Sequence, residues 1–181
     1  MATIHEGSDM PPKSGVAKRR EEIRQEYWPQ EDLWTGEKET GWFSVPRSLP
    51  LVLSLLSSKE ISGGKDPSLV YLELLSRQRG EGIVEMAHEA DHAFAAGYDG
   101  SRAVRTWQER MNILEENGFI RTEKVGNHRY KYAAIVHPTT AVHRLRARKK
   151  VPENWWSAYL ANKRETKEAT FEQREIQRTA A

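Results

Sequence analysis

Two groups of residues carry types and spacings that could support chemistry. The first is His88-Glu89-Ala90-Asp91-His92. It reads as H-E-x-x-H, which on a helix sets two histidines one turn apart to hold zinc, with the glutamate as general base. The second lies in the segment 101–117. Val104, Trp107, Met111 and Leu114 recur at i, i+3, i+7 and i+10, one face of a helix, and the other side carries Arg102, Arg105, Thr106 and Glu109, with Arg110 on its flank. A major groove admits one helix, and an arginine can donate two hydrogen bonds to guanine O6 and N7. Arg102 and Arg105 are therefore candidates for base contacts. Thr106 and Ser101 are candidates for bases or phosphates. Glu109 would repel phosphate, so its expected role is to accept from cytosine or to orient Arg105.

The hydrolase pattern meets three objections. Asp91 stands where the protease motif usually holds an apolar residue. A zincin needs a third ligand and a cleft. Ala87, Ala90 and Phe94 form a separate apolar face, which predicts that both histidines are solvated. The expectation is no metal, no cofactor and no enzymatic activity, with a zinc hydrolase kept as the weakest alternative.

The elements that position these residues follow from periodicity and punctuation. Residues 1–15 read as a polar disordered tail, and 16–66 as an extension holding a short charged helix (16–27), a Trp-rich segment with Trp28, Trp34, Trp42 and Phe43, and a buried helix. Ser48 is placed to cap that helix, with Pro50 in its first turn, and LPLVLSLLSS is apolar nearly all round. Residues 62–66 break it. Asp66-Pro67 starts a helix to about Gln78, Ile83 to Met86 suit a short strand, and a helix is expected from Ala87 to Ala96. Gly97 to Gly100 make a turn. The helix 101–117 ends with Gly118 at its C′ position. FIRTEKV (119–125), Gly126-Asn127 and RYKYAAIV (129–136) then read as a hairpin. Residues 137–150 read as a basic arm, a short helix or tail. Residues 151–181 read as a C-terminal helix containing Trp155, Trp156, Tyr159 and Leu160, fraying beyond Lys163.

Composition bounds the class. One core plus extensions suits 181 residues of which 38% are hydrophobic. Absence of cysteine excludes disulfides, thiolate metal sites and a cysteine nucleophile. No secretory signal is visible and the longest apolar run is too short for a bilayer, so a cytoplasmic protein away from membranes is expected. Net charge is only +2, but residues 101–150 hold 12 basic and 4 acidic side chains, beside a window at 67–100 with 2 and 6. That asymmetry suits a polyanionic partner, although an ordinary solvated surface can look the same. Asn127, His128, Arg129 and Lys131 lie at or beside the hairpin turn. Arg144, Arg146, Arg148, Lys149 and Lys150 form a second cluster, read as an arm that adds affinity through counterion release or as a solubilising charge run.

The order from 67 to 136 is helix, strand, helix, turn, helix, strand, tight turn, strand. It corresponds to a winged helix-turn-helix within an α+β, mostly helical protein. The stretch SRAVRTWQERMNILEENGFIR, Ser101 to Arg121, resembles the recognition helix and first wing strand of bacterial winged-helix regulators. MarR-like and GntR-like regulators and plasmid replication initiators share an ending Leu-Glu-x-x-Gly-Phe/Leu-Ile, here Leu114, Glu115, Gly118, Phe119 and Ile120. The resemblance covers about 70 of the 181 residues and is specific to the superfamily, not to one family. Trp107 departs from the smaller or basic residue common there. The resemblance implies a sequence-specific double-stranded DNA-binding protein in transcription regulation, or in replication or maintenance of a mobile element. The alternative is a protein-binding winged helix, favoured by the acidic Glu85, Glu89 and Asp91 on the helix before the turn. A homodimer through Trp155, Trp156, Tyr159 and Leu160 is a further expectation, against the simpler role of covering the protein's own core.

Overall fold

The computed structural model describes residues 15–30 and 40–179. The chain divides into two units, 1–42 and 43–181. In the first, α1 (Gly15–Tyr27) is a polar helix without a buried residue. Trp28 and Trp42 are about half exposed, and Trp34 lies outside the described residues. Phe43, the first residue of the second unit, packs against that unit's core.

The second unit begins with α2 (Leu49–Ser57), a one-turn α3 (Lys59–Ser62) and α4 (Ser68–Arg77). Leu49, Val52, Leu55 and Leu56 bury α2, as an all-apolar helix requires. Ser48 occupies the N-cap, but its hydroxyl makes no capping bond. Its Oγ and backbone N–H donate instead to the Glu168 carboxylate, at 2.8 and 2.9 Å. A contact across 120 positions has displaced a local one. Asp66 accepts from the Ser68 N–H at 2.8 Å and so helps start α4.

Next come β1 (Ile83–Glu85), α5 (Glu89–Ala95), α6 (Ala103–Glu116), β2 (Ile120–Val125) and β3 (His128–Ile135). The three strands form an antiparallel sheet in the order β1-β3-β2, with Val84 opposite Ala133 and Thr122 opposite the same residue. The protein is thus α+β, helices with one small antiparallel sheet. Register slips between Glu123 and Val125, and β3 takes up the extra residues. The slip explains why alternation fails along β3. Tyr130 and Ala133 are both buried although three positions separate them, while Tyr132 faces outward. Gly118, at φ +79°, ends α6 in the left-handed conformation that a side chain would strain.

Trp107 lies at the centre, fully buried, edge-on to Tyr130 at 5.5 Å and tilted over His92 at 5.9 Å. Tyr71 meets Phe119 edge-on at 5.3 Å.

The remaining chain departs from expectation. Residues expected as a basic helix or tail form α7 (Pro138–Ala147), with Thr139, Ala141, Val142 and Leu145 buried. That stretch belongs to the core. It is followed by α8 (Glu153–Glu165) and, where fraying was expected, α9 (Phe171–Thr179). Tyr159 is fully buried, and the Trp155 indole donates to the Leu51 carbonyl at 3.1 Å. Trp155 and Trp156 pack against the same core, and Leu160 stays 37% exposed. Most of the aromatic surface expected at a dimer interface therefore covers this chain's own helices. Among the described residues no helix is long and apolar enough to cross a membrane.

Candidate nucleic-acid interface

The H-E-x-x-H stretch does not form a metal face. α5 starts at Glu89, so His88 precedes the helix in an extended conformation and is exposed. His92 is buried with Nδ1 3.0 Å from Glu73 Oε1. Both expectations for this helix are corrected. The histidines do not share a helical face, and α5 docks through His92, Ala93 and Ala96, leaving Ala87, Ala90 and Phe94 outward, Phe94 at 74%. Burying His92 is feasible because Glu73, itself buried on α4, accepts its hydrogen bond, and Arg77 completes the carboxylate at 2.7 Å. Sequence reading passed over Glu73. The visible signal was a lone carboxylate inside the leucine run of α4. Among the described residues no group of three His, Asp or Glu is placed to hold a metal.

The α6 face is built differently. Trp107, Met111 and Leu114 are fully buried, which fixes the helix by the stripe the periodicity marked. The opposite side then faces out. Ser101 and Arg102 lie at its N-terminus, exposed, and Arg105 is exposed one turn on, its side chain at 81%. Thr106 and Arg110 are half-buried. Arg102 has no ion partner among the described residues. The free N–H groups of the first helical turn add positive potential at this end.

Glu109, the expected source of repulsion, is surrounded by cations. Lys65 donates to it at 3.0 Å, Arg110 lies at 3.3 Å and Arg105 at 3.6 Å. The Lys65 hydrogen bond and charge hold its carboxyl below the ordinary range. Two of the three acids around α5 are also engaged, while Asp91 stays exposed. Glu85 pairs with Lys131 at 2.8 Å, and Glu89 accepts from the Gln108 amide at 2.6 Å.

The hairpin is braced to α6. Arg129 donates to Asn112 Oδ1 at 2.7 Å, and the Tyr130 hydroxyl donates to the same oxygen at 2.5 Å. Burial pushes the Tyr130 hydroxyl above its usual pKa and keeps it a donor. Two expected contact residues, Arg129 and Lys131, are thereby committed within the protein. Asn127 and His128 remain exposed at the turn, which Gly126 permits at φ +60°. Lys124, missed by sequence reading, is exposed beside them on β2 without an ion partner among the described residues.

The second basic cluster is dispersed. Arg146 pairs with Glu153 and lies over the Trp156 ring, and Arg148 reaches toward the Glu116 carbonyl. Lys149 and Lys150 are exposed beyond α7, and Arg144 faces a separate cleft. The five side chains therefore lie on and after a core helix, in different surroundings, and not on one extended segment.

Comparison with protein-family models, with curated proteins and with solved structures finds no match.

Proposed function

We propose that this protein is a winged helix-turn-helix protein that binds double-stranded DNA sequence-specifically, with α6 as the recognition helix and the β2–β3 hairpin as the wing. The observation that carries the reading is the outward N-terminal face of α6. There Ser101, Arg102 and Arg105 project from a helix held rigidly by Trp107, Met111 and Leu114, beside a hairpin tied to it through Asn112. Arg102 and Arg105 read guanines, and Thr106 positions the helix on the backbone. Lys124, Asn127 and His128 meet phosphates or the minor groove. The element order from 67 to 136 and the Ser101–Arg121 resemblance support a role in transcription regulation, or in replication or maintenance of a mobile element. A cytoplasmic location goes with that role. The protein binds rather than catalyses.

The second reading, a protein-binding module, is favoured by the exposure of Phe94 at 74% and Leu69 at 58%. Fluorescence anisotropy with a labelled duplex pool separates the two. Wild type should bind, and selection on the pool should return a consensus. The Arg102→Ala/Arg105→Ala variant should lose roughly tenfold or more, at ~1–3 kcal/mol per bidentate contact, and lose the consensus. No wild-type binding at low salt sinks the DNA reading and turns attention to the Phe94 surface.

A further inference from the structure

At the base of the hairpin, at the opposite end of β2 from the turn, lies a cleft of about 510 Å³ between β2, α7 and α9. Arg121, Arg144, Arg174 and Arg178 line it, with Glu175 as the only carboxylate among the described lining residues and His137 at its wall. Glu175 pairs with Arg178 at 2.9 Å. Arg121, Arg144 and Arg174 have no carboxylate partner among the described residues. The Arg174 Nε is buried without a hydrogen-bond partner among the described residues. A buried guanidinium nitrogen left unpaired is costly, and an acceptor in the cleft would remove that cost. The local field is positive enough to be felt by a neighbour. Burial foremost, then the charges of Arg174 and Lys163, hold the His137 pKa down to about 4, against a smaller opposing pull from the Glu168 carboxylate.

Four arginines from three elements against one acid call for a compact ligand of several negative charges. The guanidinium fork matches phosphate oxygens two at a time. A dicarboxylate would neutralise less of the charge and offer fewer oxygens. The volume suits a small molecule. Duplex DNA contacting the N-terminus of α6 and the hairpin turn would meet the other end of the hairpin. We propose that this cleft is a binding site for a small oligophosphate ligand, of the diphosphate or triphosphate class, distinct from the α6 surface.

The probe is inorganic pyrophosphate, titrated into the full chain by calorimetry at low ionic strength. One saturable site is expected. Arg144→Ala/Arg178→Ala, both rim residues, should weaken it at least tenfold. Lys59→Ala/Arg79→Ala, exposed cations outside the cleft, should leave it unchanged. Succinate should bind at least tenfold more weakly than pyrophosphate. Absence of saturable binding, equal loss in both double variants, equal binding of succinate, or displacement of pyrophosphate by duplex DNA would each overturn the proposal. If the arginine variant does not fold, NMR on the wild type decides. Pyrophosphate-induced shifts confined to Arg121, His137, Arg144 and residues 174–178 support the site, and shifts scattered over the basic surface refute it. Neither result depends on whether α6 binds DNA.

Discussion

Glu109 shows how one side chain can govern a charged surface. It takes up the charge of Lys65, Arg105 and Arg110 at the face proposed to meet DNA. Replacing it with glutamine frees those cations for phosphate. Glu109→Gln should tighten non-specific duplex binding by a few-fold and steepen its salt dependence by roughly one phosphate contact. Anisotropy across a salt series checks this, and weaker binding would indicate that Glu109 itself reads a base. His137 offers a second residue-level test. Its Nδ1 accepts from the Thr139 N–H at 3.2 Å, capping α7, and its pKa is held at about 4 against an ordinary 6.5. Between those values the unfolded chain binds the extra proton. Stability from this group is therefore full above pH 6.5 and is lost as pH falls toward 4. His143, lowered mainly by burial, acts in the same direction. His137→Asn keeps a capping acceptor and removes the titration. The fall in Tm from pH 7 to pH 5 should shrink in this variant, and an unchanged fall would mean that other groups carry it.

At the scale of elements, α6 is where local pattern and tertiary packing agree most closely. Its apolar spacing was legible because three of the four marked residues enter the core, leaving only Val104 partly exposed. Trp107→Ala should destabilise the protein by about 3–5 kcal/mol, the usual cost of emptying a core aromatic site, measured by urea unfolding. Agreement fails at α5. Its seven residues are too few for periodicity to identify a face, and the buried Glu73 carboxylate from α4 decided which side turned inward. His92→Ala would leave Glu73 with Arg77 alone and should cost about 2–4 kcal/mol, whereas His88→Ala, at an exposed position, should cost little. Asn112 links α6 to the hairpin. Asn112→Ala should speed amide exchange across residues 120–135 while leaving α2 and α4 protected. Equal acceleration throughout would show that the brace is not local.

For the whole molecule, the distribution of charge matters more than its small net value. Many cations in the basic 101–150 window are engaged internally, including Arg129, Lys131 and Arg146. The phosphate-facing set should therefore be smaller than the composition implies. A log–log salt slope of roughly −3 to −5, about −0.9 per phosphate, is expected for duplex binding, and a slope near −10 would mean that the whole basic window engages. The C-terminal helices also act at this scale. Lys163, buried to 3% exposure, meets Thr139 and Glu168, and Glu168 in turn holds Ser48. Burial works to raise the Glu168 pKa, but hydrogen bonds from Lys163 and Ser48 outweigh it and leave it below the ordinary range. The sequence by itself determined the order of helices and strands from α4 to β3, the buried helix before them, the turn at Gly126 and the buried stripe of α6, but not the one-turn α3 or the inward face of α5. Those features depend on contacts between near neighbours, on backbone freedom and on helical or strand period. Only the tertiary structure decided that α7 is a core helix, that Tyr159 faces inward, that Glu109 is neutralised, and that four arginines converge on one cleft. Each of those pairs groups tens of positions apart, and no local periodicity encodes which distant charge or apolar face will be met.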